Sequence, residues 1–143
     1  MPDDASACPL ARLCAEAERL LVRRSAAERV VEEARYPEER EHAARVVREA
    51  DLSLAHIAAR ASDLRPESRR GALFTLALAA ADAETLAGTS AGKTVGEDTD
   101  AAARLRRRLY ALRAFLETDE PLPGPVSSRW MQVDGDPLGW LAE

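Results

Sequence analysis

The chain has 143 residues, a net charge of -5, and 46% hydrophobic against 31% charged residues. That is the size of one domain, with the composition of a globular protein able to bury a core. The negative charge argues against generic binding to nucleic acid or anionic membranes. The 4% aromatic content and the scarcity of β-branched residues favour helix over strand.

The N-terminus, MPDDASACPL, has no basic stretch followed by an apolar one, so no signal peptide is expected. No apolar run approaches the length of a membrane span, and a cytoplasmic location is the expectation. Lys93 is the only lysine; the arginine-, alanine- and leucine-rich composition suggests a bacterial, GC-rich genome.

Pro9 suits the first position of a helix. From it Leu10, Leu13, Ala17, Leu20, Arg24, Ala27, Val31 and Ala34 recur in steps of three and four, which predicts one helix over about 9–35. Arg24 fits that stripe if its stem lies on the core and its head reaches an acid or solvent. Tyr36-Pro37 breaks the register. Ala43, Val47, Ala50, Leu54, Ile57, Ala61 and Leu64 then predict a second helix over about 38–64, closed by Pro66. So short a connection makes the two an antiparallel hairpin whose alanines allow close approach.

The third predicted helix, about 67–87, carries GALFTLALAAADAETL, in which only Thr75 and Asp82 are polar between Ala72 and Ala83. A helix apolar on nearly every side is expected to be enclosed by the others, or also to supply a subunit interface. Leu73, Leu76, Ala80, Ala83 and Ala87 form one seam; Phe74, Ala77, Leu78 and Ala81 form a second apolar face. The fourth predicted helix, about 99–117, has the seam Ala102, Leu105, Leu109, Leu112 and Leu116, with Arg104, Arg106, Arg107, Arg108 and Arg113 expected outside. Residues 1–120 therefore read as an all-α, antiparallel four-helix bundle. Residues 121–143 read as an irregular tail with two tryptophans, packing on the bundle or on a partner.

Chemistry-bearing residues are few. Cys8 and Cys14 on one helix stand about 9 Å apart along its axis and on different sides, beyond disulfide reach. The expectation is Cys14 in the core and Cys8 as an incidental thiol, with no metal bound. His42 and His56 both face outward on the second helix, about 21 Å apart, and cannot share a metal. Asp82 emerges at the end of the third helix or, if buried, marks a pocket.

Ala87-Gly88-Thr89-Ser90-Ala91-Gly92-Lys93-Thr94 resembles a relaxed phosphate-binding loop of the Walker A family, with alanine in place of its first glycine. The resemblance implies anion binding by Gly92, Lys93 and Thr94, but the loop follows a helix where that family has a buried strand. LAHIAARASDL resembles the phosphoacceptor helix of histidine phosphotransfer domains, which implies His56 as acceptor. Ala59 and Arg60 depart from the lysine and glycine usual after that histidine. Trp130 and Trp140 are candidate partner anchors, and Arg106 and Arg107 candidate contacts to an acidic partner.

No catalytic constellation can be assembled from these residues, and no cofactor is expected. The reading is a small helical interaction or regulatory protein that self-associates or binds a protein partner. A phosphotransfer module using His56 and an anion-binding protein using Lys93 are the alternatives.

Overall fold

A computed structural model describes residues 7–88 and 95–118. Four helices follow one another: α1 (Pro9–Glu33), α2 (Pro37–Ala61), α3 (Arg69–Gly88) and α4 (Val95–Leu116). Among the described residues there is no strand. The fold is all-α: α1 packs against α2, α3 against α4, and α1 joins the two hairpins through α3.

Local chemistry sets the helix starts. Pro9 and Pro37 open α1 and α2, where a missing N–H costs nothing. Pro66 precedes Ser68, which caps α3 by accepting a hydrogen bond from the Gly71 N–H at 3.1 Å.

The large-residue core is confined to one end. Cys8, Leu10, Ala11, Leu13 and Ala17 meet Ile57 and Ala61, with Phe74 and Leu78 of α3 packed against them. Gly71 lets α3 approach there: a Cβ would stand 2.9 Å from the Cys8 sulfur and 3.2 Å from Leu10 Cβ. The expected roles of the cysteines are exchanged. Cys8 is buried and Cys14 only half-buried, because the chain entering α1 folds under α3. Burial pushes the Cys8 thiol pKa up, but hydrogen bonds from Ser68 and from the backbone of Ala11, Glu67 and Leu10 outweigh it and hold the pKa below its ordinary value.

Away from that end, α1 and α2 meet through alanine, with Ala27, Ala43 and Ala50 buried. Arg24 reaches Asp51 across the hairpin at 2.5 Å and Glu28 along α1 at 2.6 Å, the outcome its place in the stripe required.

The third helix is not enclosed. Its buried stripe is Ala72, Thr75, Ala79 and Asp82, while Leu73 and Leu76 are 57% and 51% exposed. Thr75 is accommodated inside because its hydroxyl donates to the Gly71 carbonyl at 3.0 Å, and Asp82 because two arginines meet it. On α4, Ala101, Arg108 and Ala111 are buried, while Ala102, Leu109 and Leu116 of the expected seam lie outside. The α3 seam expected to face the core faces outward, while the α4 seam is split, with Leu105 and Leu112 half-buried; among the described residues of the two helices, Thr75, Asp82 and Arg108 are the polar ones inside.

Candidate functional site

The inversion is built around one ion cluster. Asp82 on α3 lies between Arg108, whose Nη1 donates to Oδ2, and Arg104, whose Nε stands 3.4 Å from Oδ1. Arg108 also donates to the Leu78 carbonyl at 3.1 Å and, from Nη2, to the Ala58 carbonyl of α2 at 2.9 Å. One guanidinium thus ties α4 to α3 and α2. Its side chain is 3% exposed, and among the described residues its Nε has no hydrogen-bond partner. Burial lowers the Arg108 pKa more than the charge and hydrogen bond of Asp82 raise it, yet guanidinium stays protonated at any ordinary pH.

Asp82 is therefore buried rather than emergent at a helix end. Both carboxylate oxygens face arginines, so it ties α3 to α4. Arg104 and Arg108, expected on the outer face, are the residues it recruits.

The price of that cluster is an apolar exterior. Leu73, Leu76, Ala77, Ala80, Ala81 and Ala83 are all exposed, with no polar residue among the exposed positions from Leu73 to Ala83. Leu109 is 43% and Leu116 68% exposed on α4. Isolated exposed leucines are ordinary; three turns of helix surface without a polar atom beyond backbone are not. Leu21, Val22 and Val30 on α1 and Leu52 on α2 are also exposed, but Arg23, Asp51 and Ser53 interrupt them.

The remaining candidates are scattered. His56 and His42 are exposed on α2. Arg106 is exposed and Arg107 half-buried on α4, the neighbours of the inward Arg108. A cleft of about 290 Å³ lies between the start of α1 and the end of α2, lined by Pro9, Arg12, Leu13, Glu16, Arg60 and Leu64. Its one acid is Glu16, and no histidine, cysteine, serine or threonine lines it. Among the described residues no three of His, Cys, Asp and Glu are grouped as a metal site would need, and no helix is long and apolar enough to cross a membrane. Gly92, Lys93, Thr94, Trp130 and Trp140 lie outside the described residues.

Sequence reasoning missed Leu109 and Leu116 as surface, and missed the direction of Leu73 and Leu76. A signal was present: Thr75 and Asp82 are seven residues apart and share one stripe, and Arg104 and Arg108 share another at a spacing of four.

Compared with known proteins, the chain matches no family model, no curated protein and no solved structure.

Proposed function

We propose that this is a small helical interaction or regulatory protein that self-associates and works through apolar helix surface, without catalytic machinery of its own. The observation that carries the reading is the distribution of residue sizes. Among the described residues Leu10 is the one large side chain less than 2% exposed; most of the buried hydrophobic residues are alanine, while Leu21, Val22, Val30, Leu52, Leu73, Leu76, Leu109 and Leu116 are exposed and most other leucines and valines only half-buried. A chain that buries small residues and exposes large ones keeps much of its hydrophobic driving force for association.

Location in the cytoplasm and a bacterial source accord with the sequence and belong to this reading. Amide hydrogen exchange at two protein concentrations tests it. The amides of Leu73–Ala83 are expected to exchange more slowly at the higher concentration. Exchange independent of concentration throughout α1–α4 would count against self-association.

A further inference from the structure

We propose that a second copy of this chain covers the outer face of α3, with the two α3 helices antiparallel about a two-fold axis near position 78. The proposal rests on the self-association reading and adds to it the face and the register. Leu73 and Leu76 lie on the N-terminal half of the seam, Ala80 and Ala83 on the C-terminal half, and all four are exposed. An antiparallel pairing centred at 78 sets Leu76 opposite Ala80 and Leu73 opposite Ala83 of the other copy. Each large side chain then meets a small one, as dense packing between helices requires. A parallel pairing would place leucine on leucine at one end and leave alanine facing alanine across a gap at the other.

Charge and shape favour this face over the exposed residues of α1 and α2. No exposed residue from Leu73 to Ala83 carries a polar side chain, so the α3 part of the face is covered without desolvating one. The α4 seam extends the patch. At 100° per residue, the α3 seam lies about 100° round from its buried stripe, on the flank away from Phe74 and Leu78, which pack on the α1 cluster. Ala102, Leu109 and Leu116 lie about 100° round from the buried stripe of α4 in the same rotational sense. Equal rotations about antiparallel axes point to the same side of a hairpin. With Leu73–Ala83 about 16 Å long, Ala102–Leu116 about 21 Å long and the helices about 10 Å apart, the apolar face covers roughly 400 Å² per copy, the size of the patches that mark interaction sites.

A size-exchange cycle tests the register. Leu76→Ala, Ala80→Leu and the double variant Leu76→Ala/Ala80→Leu are compared for dimer dissociation constant by sedimentation, with circular dichroism confirming that each stays helical. Both positions are exposed within one copy, so the fold of each variant is retained. Each single change is expected to weaken the dimer roughly tenfold or more, through a gap or a clash at two symmetric contacts. The double variant restores opposed volumes and is expected within about threefold of the parent. A double variant weaker than either single change overturns the antiparallel register. Single changes without effect on a dimer that persists overturn the choice of α3, while self-association itself stands. A parent chain that is monomeric at every concentration removes the second copy and the reading beneath it together.

Discussion

Arg108 and Asp82 illustrate a buried pair whose worth depends on which half is removed. Asp82→Ala leaves a guanidinium that is 3% exposed without its counter-charge, and a loss of about 3–5 kcal/mol in denaturant unfolding is expected. Arg108→Met removes the charge, leaves the Asp82 carboxylate with Arg104 alone and takes a hydrogen bond from the carbonyls of Ala58 and Leu78, so it too is costly. Replacing both by apolar residues of similar volume is expected to recover most of the loss. If Asp82→Ala melts like the parent, the cluster does not organise the two hairpins. Gly71 is a second such position. Gly71→Ala drives a methyl against the Cys8 sulfur, and a cost of about 1–3 kcal/mol is expected, partly relieved by adding Cys8→Ala. The low exposure of Cys8 also outweighs its lowered pKa in deciding reactivity. Cys14 is expected to be alkylated first in the native protein, and Cys8 only on unfolding; the reverse order would mean that the N-terminal end of α1 opens readily.

α3 is where reading the chain as a string and seeing it folded part company. Helix positions were legible because Pro9, Pro37 and Pro66 interrupt stripes that otherwise repeat every three or four residues. The alanine contact of α1 with α2 was legible for the same reason, since each helix has a single apolar stripe. α3 has apolar residues all round, so periodicity cannot say which stripe turns inward. The answer depends on Arg108, which is 26 residues from Asp82 in the chain and meets it only after α4 folds back. The burial of Cys8 was hidden likewise, because it depends on Gly71 of a distant helix. A substitution shows the difference. In an enclosed α3, Leu76→Asp would unfold the protein; here it is expected to leave the helical circular dichroism of the single chain in place and to abolish association. Loss of helical signal on that change would mean that the outer stripe is core after all.

The whole chain joins two hairpins of unequal character. α1 and α2 close on each other with alanine and an arginine–acid bridge; α3 and α4 close on each other with a buried ion cluster and turn Leu73, Leu76, Leu109 and Leu116 outward. Under the proposed reading such a molecule would gain further apolar burial from a second surface, and the size complementarity along α3 is the argument for its own copy. Solution mass as a function of concentration tests this most directly, by sedimentation equilibrium from nanomolar to high micromolar protein. A mass that falls from twice that of the chain to that of the chain on dilution is the expected result. A mass equal to one chain across the whole range would contradict the account.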